Sequence, residues 1–216
     1  MRGIGVFGGS FDPIHFGHLR AAEEVREALV LEGVVFVPAA NPPHKTDVRL
    51  VDGALRLRMV ELAIADHPRF SASPLEIERG GTSYSVDTLA AMRKPDVSLH
   101  FIVGFDAFRE IHTWRESERM FEIASVVVIS RPPDDLDHSI GHLPVAARKR
   151  FCYDSDTQSY RHESGTVLRF LQITAIGISA TAIRRRLRDG RSVRYMIPAA
   201  VERFVRERRL YGATID

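Results

Sequence analysis

The sequence has little cysteine and no long apolar run. Cys152 is the only cysteine among 216 residues, which excludes an intrachain disulfide and is typical of a reducing compartment. No apolar run reaches the ~18 residues that a membrane-spanning helix needs. The start of the chain, MRGIGVFGGS, lacks the apolar core of a signal peptide. We therefore expect a cytoplasmic protein that has no membrane partner.

A strong net charge is also absent. The 30 Lys and Arg residues balance 28 Asp and Glu residues and leave a formal charge of +2, which gives no support for a nucleic-acid partner. Arginines are concentrated between Arg184 and Arg209, where either a polyanionic ligand or a solvated helix face explains them. The length suits a single domain, 1–216, with a helical part at 179–216. A homo-oligomer is compatible with this composition, and the oligomeric state stays open.

Short apolar segments alternate with segments of helical periodicity along the chain. Strands are predicted at 4–7, 34–37, 70–77, 99–103, 125–129 and 167–173, and helices at 18–31, 54–66, 85–93, 181–189 and 199–208. Strands without polar alternation are typical of a parallel sheet that is covered on both sides. The pattern therefore predicts an α/β, Rossmann-like, doubly wound parallel sheet with helices on both faces and a small C-terminal helical part.

The segment 132–165 is the least regular part of the sequence. Its possible metal-binding side chains match no zinc spacing, and they are His138, His142, Cys152, Asp154, Asp156 and His162. We predict a solvated loop or lid there.

The glycine pattern near the start lacks the context of a dinucleotide-binding fingerprint. Gly3, Gly5 and Gly8 match G-x-G-x-x-G by letter, but the first two lie before or inside the predicted strand. That fingerprint must follow a strand, and it needs an acidic residue about 20 positions later, which is missing. A phosphate-binding P-loop motif is missing too. Both absences argue against a dehydrogenase and a P-loop enzyme.

The residues that end the first strand favour an anion site instead. Gly8 and Gly9 let a ligand lie against the backbone, and His15 and His18 stand at the predicted start of a helix. The free N–H groups and the dipole of a helix start attract phosphate, and two imidazoles add donors. A single histidine there could equally be a capping or surface residue, but the pair in this setting indicates phosphate binding.

Two long motifs resemble those of the nucleotidylyltransferase superfamily. GGSFDPIHFGH at 8–18 resembles GG[TS]FDPxHxGH, and ISATAIR at 178–184 resembles ISSTxIR, with Ala180 in place of a serine. The middle of the chain is similar to the nicotinate mononucleotide adenylyltransferases within that superfamily. The similar stretches there are PPHK at 42–45, RGGTSYSVDTL at 79–89, GFD at 104–106 and Trp114. Arg115 stands where many members carry an aromatic residue.

The resemblance implies an enzyme of NAD biosynthesis that joins ATP and nicotinate mononucleotide. The products would be nicotinate adenine dinucleotide and pyrophosphate, formed by direct in-line attack on the α-phosphate without a covalent enzyme intermediate. Mg²⁺ would be held by the phosphates, with no metal ligand from protein side chains. The expected catalytic residues are His15, His18, Lys45 and Arg184.

The resemblance also implies two sets of binding residues. The ATP set is Gly8, Gly9, Ser10, Phe11, His15, His18, Gly104, Asp106, Ile178, Ser179, Thr181 and Arg184. The nicotinate mononucleotide set is Asn41, His44, Thr82, Ser83, Tyr84, Asp106, Trp114 and Arg131. Trp114 would stack on the pyridine ring, and the backbone N–H groups of 82–84 would form a nest for the nicotinate carboxylate.

Four alternative functions share features with this one. An adenylyltransferase that prefers nicotinamide mononucleotide and a pantetheine-phosphate adenylyltransferase share the expected fold. A fragment of a class I aminoacyl-tRNA synthetase would need a lysine loop where 178–184 stands. A non-catalytic nucleotide sensor would have lost a histidine or a basic phosphate ligand, and His15, His18, Lys45 and Arg184 are all present.

Overall fold

The computed structural model describes residues 2–43, 50–130, 139–174 and 176–213. Its strands form one sheet in the order β3-β2-β1-β4-β5-β8-β7-β6. The first six in that order pair in parallel, and β7 and β6 are antiparallel. The strands are β1 Arg2–Gly9, β2 Gly33–Pro38, β3 Phe70–Ala72, β4 Val97–Gly104, β5 Ser125–Ser130, β6 Phe151–Asp154, β7 Ser159–His162 and β8 Val167–Gln172.

Helices connect these strands. The α-helices within the described ranges are α1 Phe16–Ala28, α2 Gly53–Ile64, α3 Leu75–Arg79, α4 Ser85–Met92, α5 Phe105–Arg109, α6 Ser117–Ile123, α7 Val145–Arg148, α8 Ala180–Arg188 and α9 Ala199–Glu207. Short 3₁₀ helices lie at Ile111–Thr113, Ile140–His142 and Leu210–Gly212. None of the helices in these ranges is long and apolar enough to cross a bilayer.

The core has two layers, one on each face of the sheet. Ile102 belongs to the layer that α1, α2, α8 and α9 cover, whereas its neighbours Phe101 and Val103 belong to the layer covered by α4, α5, α6 and α7. Successive side chains of a strand point to opposite faces, so an unbroken apolar strand supplies both layers. The predicted α/β sheet with helices on both faces is confirmed.

The order of strands reverses at β1, which lies between β2 and β4. Chain connections run one way from β1 to β3 and the other way from β4 to β5, so the ends of β1 and β4 open a crevice. Gly9 ends β1 and Gly104 ends β4, on the same edge of the sheet because the two strands are parallel. This topology places the candidate site.

Two local predictions are wrong. The predicted strand 70–77 ends at Ala72, and α3 starts after Pro74, whose φ of −78° and missing N–H suit a helix start. The predicted loop or lid at 132–165 instead contains, within its described part, α7 and the β6–β7 hairpin, which extends the sheet beyond β8. Phe151 and His162 of the hairpin are buried, so packing stabilises its short strands, and the local sequence does not reveal that packing. The helices α3, α5, α6 and α7 are also absent from the prediction.

Candidate active site

The turn after β1 stacks two histidines at the start of α1. His15 is the residue that precedes the helix and is 5% exposed, and His18 lies in the first helical turn. Their rings are stacked, with centroids 3.7 Å apart and planes 22° apart. The His18 ring also meets the Phe11 ring edge to face, at 5.1 Å between centroids. Packing therefore holds both imidazoles in one orientation before any ligand binds.

A backbone hydrogen bond defines which nitrogen of His18 faces away from the helix. The N–H of His15 donates to Nδ1 of His18 at 3.3 Å. In the neutral ring Nδ1 is then the acceptor, and the proton is on Nε2. His18 consequently presents an N–H donor at Nε2, which suits a phosphate oxygen.

Gly17 allows two segments to approach each other closely. A Cβ atom at this position would lie 3.0 Å from Nδ1 of His15 and 3.6 Å from the carbonyl oxygen of Ile178. The missing side chain thus lets the His15 ring and the loop before α8 pack against the start of α1. Ser179 caps the start of α8, and its hydroxyl accepts a hydrogen bond from the N–H of Ala182 at 3.2 Å. The starts of two helices therefore meet beside the histidines.

Arg184 of α8 is tied to the turn after β1. Its Nη1 donates to the carbonyl oxygen of Asp12 at 2.7 Å and lies 3.9 Å from Asp12 Oδ2, while Nη2 donates to the hydroxyl of Thr181 at 3.2 Å. The hydroxyl of Tyr211 donates to Asp12 Oδ1. Burial, together with the Asp12 carboxylate, raises the pKa of Tyr211 far above its usual range, so the hydroxyl keeps its proton. Segments 172 and 199 residues from Asp12 thus meet at one carboxylate.

These groups surround a cavity of about 380 Å³, which we call the histidine cavity. His18, Arg184, Asp106 and Ser130 supply much of its polar lining. It brings together the predicted ATP residues His15, His18, Gly104, Asp106, Ile178, Ser179, Thr181 and Arg184. Imidazole, guanidinium and the starts of two helices of thirteen and nine residues make this cavity suited to an anion such as a polyphosphate.

A second cavity of about 620 Å³ lies on the other side of Gly104, which lines both. We call it the tryptophan cavity because Trp114 lines it, together with Tyr84, Phe101 and Met120. Trp114 meets Phe101 edge to face at 6.2 Å between centroids. Three residues that are predicted to bind ATP line this second cavity and not the histidine cavity: Gly8, Gly9 and Ser10. Its apolar and aromatic lining suits a flat ring.

Hydrogen bonds join the segment around Asn41 to the segment around Thr82 beside the tryptophan cavity. Asn41 and Thr82 form an isolated parallel bridge, and the N–H of Ser83 donates to the carbonyl oxygen of Asn41 at 3.0 Å. The hydroxyl of Ser83 accepts from the N–H of Ala40 at 2.8 Å. Ser83 and Tyr84 line the cavity, whereas Asn41 and Thr82 do not. The N–H of Ser83, one donor of the predicted carboxylate nest, is engaged within the protein.

Not all predicted site residues are found at a cavity. Phe11 is 2% exposed, packs edge to face against Phe7 and Phe36, and lines neither cavity. Its side chain therefore packs in the core, which the sequence could not show because core aromatics and ligand-binding aromatics look alike. His44, Lys45 and Arg131 lie outside the described residues. His162 of the dismissed metal cluster is buried, with Nδ1 and the Ser164 hydroxyl 2.8 Å apart.

Sequence reasoning missed Arg56, a buried arginine beneath the site. Arg56 is 1% exposed, and its guanidinium donates to the carbonyl oxygens of Val51 at 2.7 Å, Ser10 at 2.8 Å and Ala40 at 3.3 Å. It joins the chain leaving β1 to the chain leaving β2. Burial lowers the pKa of Arg56, and the nearby Asp12 carboxylate opposes that shift. The sequence signal that could have identified Arg56 is its position within the apolar stripe of a predicted helix.

Ser130 was missed as well. It ends β5, is 4% exposed and lines the histidine cavity, and its hydroxyl has no hydrogen-bond partner among the described residues. A polar residue at the end of an apolar strand, VVVIS, was the signal. A buried hydroxyl without a protein partner is suited to a polar ligand group.

A family model and curated relatives match this chain. The model is described as cytidylyltransferase-like and matches residues 6–186. A protein of Citrifermentans bemidjiense, named as a probable nicotinate-nucleotide adenylyltransferase, is 47% identical over 210 residues, which are 96% of this chain and 97% of that protein. A protein of the same name from Syntrophotalea carbinolica is 43% identical and covered to 96% in both chains.

Solved structures share the fold. The nicotinic acid mononucleotide adenylyltransferase of Plasmodium falciparum, in a structure complexed with NaAD, superposes with a TM-score of 0.73 over 100% of both chains at 17% identity. A putative nicotinate-nucleotide adenylyltransferase from Vibrio parahaemolyticus superposes with a TM-score of 0.63, over 98% of this chain and 96% of that one, also at 17% identity.

Proposed function

This chain belongs to the cytidylyltransferase-like family, and we propose that it transfers the adenylyl group of ATP to nicotinate mononucleotide. The reaction forms nicotinate adenine dinucleotide and pyrophosphate, and it is a step of NAD biosynthesis. The observation that carries the proposal is the pair of cavities that meet at Gly104, one lined by cations and helix starts and the other by aromatic residues. The substrates have matching parts, because ATP brings a polyphosphate and the acceptor brings a pyridine ring.

ATP lies in the histidine cavity. His15, His18 and Arg184 face its phosphates, together with the start of α8. Arg184 offers two nitrogens whose positions the Asp12 carbonyl and Thr181 already restrict, so little entropy is lost when it binds phosphate. Asp106 accepts hydrogen bonds from ribose hydroxyls. Lys45, outside the described residues, completes the phosphate contacts.

The chemical step needs no nucleophile from the protein. An oxygen of the mononucleotide phosphate forms a bond to the α-phosphorus of ATP, the bond to the bridging oxygen breaks, and pyrophosphate leaves with that electron pair. Negative charge spreads over the α-phosphate oxygens during the exchange, and the Nε2–H of His18 stabilises it. Catalysis then consists of alignment and charge stabilisation by a preorganised donor.

Nicotinate mononucleotide lies in the tryptophan cavity. Trp114 stacks on the pyridine ring, and Ser83 and Tyr84 border it. Gly8 and Gly9 let the mononucleotide lie against the end of β1, next to the shared boundary at Gly104. This arrangement directs the acceptor phosphate from the second cavity towards the α-phosphate in the first.

Mg²⁺ would be held by the phosphates of ATP. Among residues 2–43, 50–130, 139–174 and 176–213, no group of three His, Cys, Asp or Glu side chains could hold a metal ion. The donor set at the histidine cavity fits anions, since imidazole N–H, guanidinium and helix N–H groups all donate hydrogen bonds. When bound, the ion neutralises phosphate charge and thereby assists the departure of pyrophosphate.

A parallel pyrophosphate-release assay tests this function. The protein is given ATP and Mg²⁺ with nicotinate mononucleotide, nicotinamide mononucleotide or 4′-phosphopantetheine. We expect kcat/KM to be highest with the nicotinate compound. A preference for either of the other acceptors would contradict the assignment.

Two substitutions test the roles of the two cavities separately in that assay. His18→Ala should lower kcat by about 10²- to 10³-fold, the usual loss for one preorganised donor to a developing charge. Trp114→Ala should raise KM for the mononucleotide while leaving KM for ATP near its original value. Near-normal turnover by the first variant, or an unchanged acceptor KM in the second, would refute the assigned roles.

A further inference from the structure

Arg115 brings positive charge to a cavity that is otherwise mainly apolar. Within the part of the chain that the structure describes, it is the only cationic residue lining the tryptophan cavity. Its guanidinium carbon lies 4.8 Å from the centre of the Tyr84 ring, which lines the same cavity. The arginine follows Trp114 directly, so the charge and the proposed stacking surface are neighbours in the chain and in space.

The acidic residues nearby restrain the guanidinium without burying it. Nη1 lies 3.7 Å from Asp87 Oδ2, and Nε lies 3.4 Å from Glu116 Oε1. The Arg115 side chain is 52% exposed, and Glu116 makes its shorter contact, 2.9 Å, with Arg119. These weak pairs, with the Tyr84 ring beneath, confine Arg115 to the cavity wall and leave it able to meet an incoming anion.

We propose that Arg115 is a specificity-determining residue that recognises the carboxylate of the nicotinate ring. The inference rests on the proposed function, because it takes the mononucleotide as the occupant of the tryptophan cavity. A pyridine ring stacked on Trp114 carries its carboxylate at the edge of the ring, beside the next residue. The guanidinium pairs with that charge, and the neutral amide of nicotinamide mononucleotide gains no such pair.

The competing role for Arg115 is to bind the phosphate of the mononucleotide. Both mononucleotides carry that phosphate, whereas only one carries the carboxylate. A carboxylate contact therefore changes the ratio of the two affinities, and a phosphate contact changes both affinities equally. Merely structural support of Tyr84 would also affect both ligands.

Trp114 provides a binding signal that does not depend on turnover, because it is the only tryptophan of the chain. Its fluorescence is titrated with nicotinate mononucleotide and, separately, with nicotinamide mononucleotide in the absence of ATP. The proteins compared are the original, Arg115→Gln and the matched control Arg119→Gln. Arg119 shares Glu116 as a partner, has a side chain that is 56% exposed, and does not line the cavity.

We expect Arg115→Gln to raise Kd for nicotinate mononucleotide by about five- to tenfold, the effect of one half-exposed ion pair. Kd for nicotinamide mononucleotide should change less than twofold, and Arg119→Gln should change neither value. Arg115→Lys should retain part of the preference, and pyrophosphate release should show the same ratios in KM.

Three results would overturn the inference. They are an equal loss of affinity for both mononucleotides, no loss for either, and the same ratio change in Arg119→Gln. Failure of the proposed function has a different signature, since the original protein would then release no pyrophosphate from ATP with either mononucleotide. Fluorescence titration would still test the role of Arg115 in that case, because the binding of each ligand is measured without reaction. If neither mononucleotide bound, the proposed role of Arg115 would also be rejected.

Discussion

At the scale of single residues, Arg56 connects the site to the sheet. Its hydrogen bonds to the carbonyl oxygens of Ser10 and Ala40 hold the ends of β1 and β2 in one arrangement, and both ends border the tryptophan cavity. A buried guanidinium makes such a junction specific because its donors have fixed directions. Removing it leaves buried acceptors without donors, which is costlier than losing an exposed contact.

Arg56→Met should therefore lower the free energy of unfolding by about 2–4 kcal/mol, measured by urea denaturation. It should also raise KM for the mononucleotide, because Ser10 and Ala40 lose a shared support. Arg58→Met is the matched control two residues later, where the side chain is 56% exposed and pairs with Glu61 at 3.1 Å. The control should change stability by less than about 0.5 kcal/mol. Equal effects in both variants would contradict the role of Arg56.

Gly17 offers a second test at this scale, one that separates activity from stability. In Gly17→Ala the new Cβ must displace the His15 ring, and the stacked His18 ring with it. Alanine usually stabilises a helix relative to glycine by about 0.5–1 kcal/mol. We expect lower kcat with little loss of thermal stability. Gly177→Ala is the control, since a Cβ there would meet nothing within 4 Å. Unchanged kcat in Gly17→Ala would contradict the steric argument.

At the scale of elements, the C-terminal helices complete a site that begins at the other end of the chain. α8 supplies Arg184, and the 3₁₀ helix Leu210–Gly212 supplies Tyr211, and both bind Asp12. Val201 and Val205 of α9 are fully buried in the same core layer as Phe7 of β1. Apolar packing of these helices therefore determines where the arginine stands.

Tyr211→Phe removes only the hydroxyl that donates to Asp12. The buried carboxylate then loses the donor to its Oδ1, so we expect a loss of about 1–3 kcal/mol in the free energy of unfolding. KM for ATP should rise as well, because Asp12 positions Arg184. Tyr195→Phe, at a side chain 80% exposed, should alter neither quantity. An unchanged KM for ATP in Tyr211→Phe would contradict the claim that the C-terminal segment positions Arg184 through Asp12.

At the scale of the whole molecule, the sheet extends well beyond the site. The β6–β7 hairpin lies at the opposite edge from β3, and His162 is packed there beside Phe121 and Phe151. Burial, together with the charge of Arg150, lowers the pKa of His162. Burial and Arg169 likewise lower the pKa of His100 on β4.

These shifts predict that stability falls as the pH is lowered through about 6.5, the ordinary histidine pKa. In that range the unfolded chain binds a proton that the folded chain does not, so the free energy of unfolding rises with pH. His162→Asn keeps an acceptor close to the position of Nδ1 but does not titrate. Thermal unfolding between pH 7.5 and 5.5 should therefore show a smaller pH dependence in this variant. Parallel curves for the two proteins would contradict the assignment to His162.

Some of the fold could be predicted because its signals are local. Unbroken apolar strands such as VVVIS and helical periodicity at 85–93 indicated a covered parallel sheet, and the structure confirms it. Failures occurred where a segment is short or polar. α3 has five residues and the hairpin strands have four each, so neither presents enough periodic positions to predict.

The order of elements, the family motifs, and the residues within 15–18 and 178–184 that line the histidine cavity could be read from the sequence alone. Their residue types and spacing follow from local chemistry, since strand ends, helix starts and phosphate donors are encoded over a few positions. Three-dimensional packing was needed to show that Arg56 supports the site, that the Phe11 side chain packs in the core, and that Asp12 joins Arg184 to Tyr211. The Arg56–Ser10 and Asp12–Tyr211 contacts join residues 46 and 199 positions apart. Such pairings depend on how helices pack on the two faces of the sheet, and no local pattern records that packing.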